Sequence, residues 1–333
     1  MPPSLSPGRQ PPPPKPEPGP ERLPGSAFSN AYATCSTLQR ILVTPPEVDR
    51  LLFFPFSAVM PESTGWESNQ LPRFPKQDNT WRILLVLGNV AHFAGTMPEQ
   101  FWPVMLKLPD WEHIIYVPGP YDYGSGTLEL GDSYARKLHA LDDRLTVFAH
   151  TCPTTSIYVT GPRILIRGAP CFPVETVHYE DARVYQREHP YVPEMGHTED
   201  SGLNDAADKE AIVEGRWVTP QRAQERLIKD VDTLLKVGNP MALAHVIVTY
   251  GCPDELAAAT RKKSPFHAVV KLGNAKVYAD FAAIGAAYWF CGAPTDKPTC
   301  TMYKSTATKL CSNCFMPGPR KLPCMKPYVL APK

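Results

Sequence analysis

The chain has 333 residues, 43% of them hydrophobic, with 34 lysines and arginines against 33 acids and a net charge of +1. That is enough apolar material for a large core, and the balanced charge excludes a global field of the kind that draws nucleic acid or membrane surfaces. No run of 18 apolar residues occurs, which excludes a transmembrane helix, and nine scattered cysteines point to a reducing, intracellular compartment rather than a disulfide framework.

Residues 1–35 form a Pro-rich tail: eleven of the 39 prolines precede residue 25, among them the run Pro11, Pro12, Pro13 and Pro14. Such a segment cannot bury apolar area and favours extended polyproline II, a stiff form suited to lying along a partner surface. Its start shows neither a hydrophobic signal core nor an Arg-rich amphipathic pattern, so no secretory or transit signal is expected.

The remainder, 36–333, reads as one domain. Residues 38–43 (LQRILV) predict a first strand, and 50–77, with Pro55, Pro61, Pro72 and Pro75, predict a loop. Residues 82–87 predict a buried strand ending in Gly88-Asn89. A helix follows, with Thr96 as N-cap, Pro98 in its first turn, and Phe101, Trp102, Met105 and Leu106 as its apolar face. A second buried strand, 113–117, ends in Pro118-Gly119. Two buried strands joined by a helix make a βαβ unit with a parallel sheet, and chemistry is expected just beyond the strands' carboxyl ends.

Residues 132–142 predict a helix capped by Asp132 or Ser133, with Tyr134, Leu138 and Leu141 on one face; 145–148, 156–160 and 163–167 predict short strands. An acidic insertion spans about 174–218, where 174–215 carry eleven acids against three bases, and it holds His178, His189 and His197 without a fixed ligand spacing. Residues 219–237 predict a helix capped by Thr219, with Leu227, Val231, Leu234 and Leu235 as its stripe and Gly238 closing it. Then follow a buried strand at 244–249, an apolar helix at 277–286 and a strand at 287–291 ending in Gly292. The segment 297–333 carries seven lysines or arginines, among them Arg320, Lys321 and Lys326, and no acid. Cys300, Cys311, Cys314 and Cys324 in that segment are a candidate zinc set, but one CxxC falls short of the paired knuckles of a ribbon, and buried or free thiols are the expectation. His92, His113 and His245 lie in or beside strands and are expected to be structural. No phosphate-binding loop, dinucleotide fingerprint, nucleophile elbow or HExxH motif occurs.

Gly88-Asn89-Val90-Ala91, then helix, then Gly119-Pro120-Tyr121-Asp122, then Thr249-Tyr250 with Pro253, then Gly292-Ala293-Pro294-Thr295 follow one another at strand ends. In that order the chain, from residue 38 to 330, resembles the calcineurin-like metallophosphoesterases. The resemblance implies an α/β fold of two mixed sheets in a four-layer α/β/β/α sandwich, with a two-metal centre built from these turns. It also implies that the centre has degenerated. Thr44, Pro45 and Glu47 stand where the first strand should supply Asp-x-His, and Asn89 stands for the bridging carboxylate. Pro120 and Tyr121 stand for asparagine and histidine, while Tyr250, Ala293 and Thr295 stand for three further histidines. Asp122 matches the family's acidic partner residue. Two hard divalent metals need several carboxylates or imidazoles converging on a point, so no metal, no cofactor and no catalytic residue is expected. Tyr121, Tyr250 and Trp289 are expected to fill the former cavity or its rim.

The role that follows from this resemblance is that of a pseudoenzyme. It would be a structural or scaffolding subunit of a large multi-protein assembly, docked through the Pro-rich tail, the acidic insertion and the basic end. A mitochondrial assembly, respiratory or ribosomal, is one expected setting, although no targeting signal marks it. Two alternatives stand beside it. One is a divergent metal-dependent phosphoesterase drawing on Asp122, His92, His178 and His197. The other is an accessory protein that binds RNA or anionic lipid through Arg261-Lys262-Lys263 and the basic C-terminal segment.

Overall fold

The computed structural model describes residues 38–58, 76–88, 90, 97–108, 110–123, 128–150, 154–171, 212–213, 216–217, 229–251, 285–292, 299–302, 307–312, 314–315 and 327–332. The chain divides after Ser36, and every described residue belongs to the second unit, Thr37–Lys333. Pro11, Pro12, Pro13 and Pro14 lie outside the described residues, as do Arg320, Lys321 and Lys326. Of the acidic insertion, one antiparallel pair is described, β8 (Ile212–Val213) with β9 (Arg216–Trp217).

Two mixed sheets and few helices make an α/β fold. In the six-stranded sheet, β2 (Arg50–Ala58), β3 (Thr80–Leu87), β4 (His113–Val117) and β5 (Leu145–Val147) run parallel and adjacent. β4 is buried throughout, and β3 is buried except for the half-buried Trp81. Both faces of these strands are covered, which explains their continuous rather than alternating apolar runs. The crossover from β3 to β4 is α1 (Met97–Leu106), completing the expected βαβ unit. Phe101, Trp102 and Met105 are its buried face, and the Trp102 ring lies 4.7 Å from that of Tyr116 in β4.

From β4 the chain passes through α2 (Pro120–Tyr123) and α3 (Leu128–His139) to β5. α3 starts ahead of the expected cap, so Asp132 is a buried residue inside the helix, accepting a hydrogen bond from the Tyr123 hydroxyl at 3.1 Å. Ala135 and Leu138 form its buried face, while Leu141 lies past its end and is 59% exposed.

β2 is the main departure from the sequence expectation, which placed a loop at 50–77. Its other neighbours are β15 (Tyr328–Leu330), paired at Leu51, Leu52 and Phe53, and β14 (Cys314–Phe315), paired at Ser57 and Ala58. Pro55 has no N–H to donate, and it falls in the gap between those two stretches. The missing donor therefore costs no ladder bond on that side. The apolar run from Leu51 to Phe56 is fully or almost fully buried and decides the outcome.

The seven-stranded sheet has the order β1-β6-β7-β10-β11-β13-β12. Its strands are β1 (Leu38–Leu42), β6 (Thr154–Val159), β7 (Ile164–Ala169), β10 (Ala244–Thr249), β11 (Tyr288–Cys291), β12 (Thr299–Met302) and β13 (Lys309–Ser312). β6 with β7 and β12 with β13 are antiparallel, and the other pairs are parallel. The two sheets share one core: Phe53 of β2 lies 5.3 Å from Phe290 of β11, ring to ring. Strand alternation turns Ile166, Val248 and Phe290 into that core, and Arg167, Ile247 and Trp289 to the opposite face. The opposite face meets helix α4 (229–236), where Arg167 donates to the Leu234 carbonyl at 3.0 Å. Val231 and Leu234 of the expected stripe are buried, and residues 219–228 lie outside the described residues.

Glu112, just before β4, fastens the start of the βαβ unit. Its carboxylate accepts from the Arg82 backbone N–H at 2.8 Å, from Nη2 at 2.8 Å and from Nε at 3.1 Å. The Arg82 side chain is only 7% exposed, so loss of this partner is costly. Glu112→Ala is expected to lower the unfolding free energy by about 2 kcal/mol, and Glu112→Gln by less. Urea denaturation checks this, and an unchanged midpoint in Glu112→Ala would show the ion pair to contribute nothing.

Candidate strand-end site

β3 and β4 end side by side, which brings their terminal glycines together. A Cβ on Gly88 would lie 2.6 Å from the Gly119 nitrogen and would strike the ring of Tyr250. Gly88 also has φ of 75°, so space and backbone both require glycine there. Tyr250 follows β10 in the other sheet, and Gly292 follows the neighbouring β11. A Cβ on Gly292 would run into the Leu87 carbonyl, at the end of β3. The carboxyl ends of four strands, two from each sheet, thus meet at one place. The Tyr250 ring occupies part of that place.

Asp122 is fully buried there, in α2. One carboxylate oxygen accepts from the Val90 N–H and the other from the Gly119 N–H, both at 2.7 Å. The local cause is the tight turn after Gly119, whose carbonyl accepts from the Asp122 N–H at 3.1 Å and so folds the side chain back over the turn. The Tyr116 phenol lies beside this carboxylate, and burial with the nearby charge holds its pKa well above the ordinary value. Asp122 acts as a clamp between the residue beyond the β3 turn and the glycine ending β4.

Several expected site residues lie elsewhere. Trp289 faces away from the shared core, donating its indole N–H to the Thr249 hydroxyl at 2.8 Å, so it does not line the convergence. Thr44 accepts from the Gly161 N–H at 2.9 Å, and the Pro45 carbonyl accepts from Val48 at 3.0 Å in an exposed turn that includes Glu47. Gly161 precedes β7, whose first residue pairs with the first residue of β10, whereas Tyr250 follows the last. Thr44, Pro45 and Glu47 are therefore at the opposite end of the sheet from Tyr250. The strand beside β3 is β2, and its register of Phe56 with Val86 brings Ala58 level with Gly88. The residues next in the chain, Val59 and Met60, lie outside the described residues and carry neither carboxylate nor imidazole.

Asn89, Ala293 and Thr295 lie outside the described residues, as do His92, His178, His189, His197, the Arg261–Lys263 run and Cys324. Pro120 and Tyr121 open α2. Among the described residues no group of three or more His, Cys, Asp or Glu could hold a metal ion. Among the described residues the convergence presents the Tyr250 phenol ring, glycine backbone and a carboxylate whose two oxygens each face an N–H donor, whose dipoles would oppose a cation.

Sequence reasoning missed a second buried polar group. His150 Nδ1 lies 3.0 Å from one oxygen of Asp230 in α4, and the other oxygen accepts from the Cys171 N–H at 2.9 Å. These contacts tie α4 to the chain after β5 and after β7. Burial and the Asp230 charge push the Cys171 thiol up, which keeps it protonated and unsuited to nucleophilic attack. Asp230 lies one position before Val231 of the apolar stripe, and no sequence signal distinguishes it from a solvated helix acid.

No helix among the described residues is long and apolar enough to cross a membrane. No family model matches the chain, and no curated protein matches it. Four solved chains are similar to it. One of them, a crystal structure, covers 86% of this chain and 99% of its own at 12% identity, with a TM-score of 0.42.

Proposed function

We propose that this chain is a non-catalytic scaffolding subunit of a larger protein assembly, built on a four-layer sandwich of the metallophosphoesterase type whose metal centre has been replaced by packing. The observation that carries this reading is the fate of the strand-end convergence. Tyr250 lies against Gly88, Gly88 lies against Gly119, and both oxygens of Asp122 are held by backbone N–H groups. A carboxylate engaged in this way stabilises the turns. The layering of helices α1 and α3, the two sheets and α4 is compatible with that architecture. When a large core surrounds a site without chemistry, outer surfaces are what remain for function.

Gentle purification from the native source, with sizing and metal analysis of the same fraction, tests the proposal. Migration with a much larger assembly and no stoichiometric metal is expected. A free monomer carrying about two transition metals per chain would overturn it in favour of a divergent phosphoesterase. Salt-sensitive RNA binding by the free chain would instead favour the nucleic-acid reading.

A further inference from the structure

Cys300 of β12 stands directly opposite Cys311 of β13 in an antiparallel ladder. Opposed residues in such a ladder have Cα atoms roughly 4.5–5.5 Å apart, inside the roughly 4.4–6.8 Å span of a disulfide. Both side chains project from the same face, their thiols interact as hydrogen-bond partners, and both are reduced. Cys300 is exposed and Cys311 is buried. β12 is the terminal strand of its sheet, and beside the pair stand Tyr288 and, from β15 of the other sheet, Tyr328.

We propose that Cys300 and Cys311 are a redox modification site, closing to an intrachain disulfide with a low-molecular-weight disulfide such as glutathione disulfide as oxidant. The exposed Cys300 thiolate attacks one sulfur of the oxidant. That S–S bond breaks, one small thiolate leaves, and a mixed disulfide remains on Cys300. Cys311 then releases its proton and attacks the Cys300 sulfur, and the second small thiolate leaves. Two protein thiols are oxidised, one small disulfide is reduced to two thiols, and the two protons pass to the leaving thiolates. Accessibility sets this order. The hydrogen bond to Cys300 and burial both push the Cys311 thiol up, so it keeps its proton until the mixed disulfide is formed beside it. The neighbouring Cys291 is buried on the opposite face of the sheet and directs its thiol to the Cys311 carbonyl at 3.7 Å. It does not compete for the bond. The disulfide would fasten the edge strand β12 to β13, and the inference does not rest on the scaffolding role.

The test equilibrates the full chain with glutathione and glutathione disulfide at several ratios, alkylates free thiols and maps peptides without reduction. A Cys300–Cys311 cross-linked peptide is expected, rising with the oxidised fraction, lost on reduction and absent in Cys300→Ser. Cys311→Ser is expected to stop at glutathionylated Cys300. The oxidised chain is expected to melt a few degrees higher than the reduced chain. Circular dichroism establishes that each variant is folded, and Cys300→Ser, at an exposed position, carries the test if Cys311→Ser is not. Absence of the cross-link, persistent glutathionylation of Cys300 in the unaltered chain, or Cys311 joined to another cysteine would each overturn the proposal.

Discussion

Asp122→Ala is expected to lower the unfolding free energy by about 4 kcal/mol, because it leaves the buried N–H groups of Val90 and Gly119 without their acceptor at about 1–3 kcal/mol each and opens a small void besides. Asp122→Asn keeps one acceptor oxygen but turns an amide N–H towards the other backbone donor, so about half that cost is expected. Urea unfolding followed by circular dichroism separates a clamp from a catalytic group. A clamp shows graded stability loss in the two variants. A catalytic acid or base would show Asp122→Asn folding as well as the parent while a measured phosphoesterase activity disappeared. A cost under about 1 kcal/mol for Asp122→Ala would sink the structural assignment.

The same residue marks how far the sequence could be read. A resemblance to the metallophosphoesterases, which no comparison bears on, singled it out, but its role as a clamp depends on α2 starting one residue after Gly119. That geometry is set by a four-residue helix too short to leave a periodic signal. β4 and β10 have the bounds predicted for them because each is a short, largely apolar run closed by turn residues. β2 was hidden by Pro55, whose tolerance depends on where β14 and β15 stop pairing, a fact of tertiary register. Once β2 is seen to flank β3, Thr44, Pro45 and Glu47 leave the site together. Trp289 was misplaced for a related reason: one step of strand parity separates the shared core from the α4 face. β12 to β15 are two to four residues long, below the length at which alternation can be recognised. The pairing of Cys300 with Cys311 was therefore invisible in a sequence that showed only their spacing.

His113 makes acid the other strong lever on this fold. Its ring is 2% exposed, and Nε2 lies 2.9 Å from the Thr146 hydroxyl, which Arg40 of the facing sheet also contacts at 3.1 Å. Burial first, then the positive charge of Arg40, with smaller effects of His139 and Arg144 and an opposing one of Asp142, lowers its pKa from 6.5 to about 3. The folded chain therefore holds a neutral ring at a pH where the unfolded chain binds a proton. The stabilisation is complete above the unfolded value and is lost as pH falls from about 6.5 towards about 3, with no further loss from this group below that. Between pH 7 and pH 5 the expected cost is about 2 kcal/mol, from about 1.4 kcal/mol per pH unit across the part of the window below 6.5. His139 and His245 are also depressed by burial and add slope of the same sign, so the comparison must be differential. His113→Gln keeps a hydrogen-bonding group near Thr146 without a titrating ring. Its stability at pH 7 is expected to be lower than that of the parent, but its decline from pH 7 to pH 5 shallower by about 2 kcal/mol. Parallel pH profiles for the two proteins would mean that the ring titrates normally, and that Arg40 does not bridge the two sheets over a neutral imidazole.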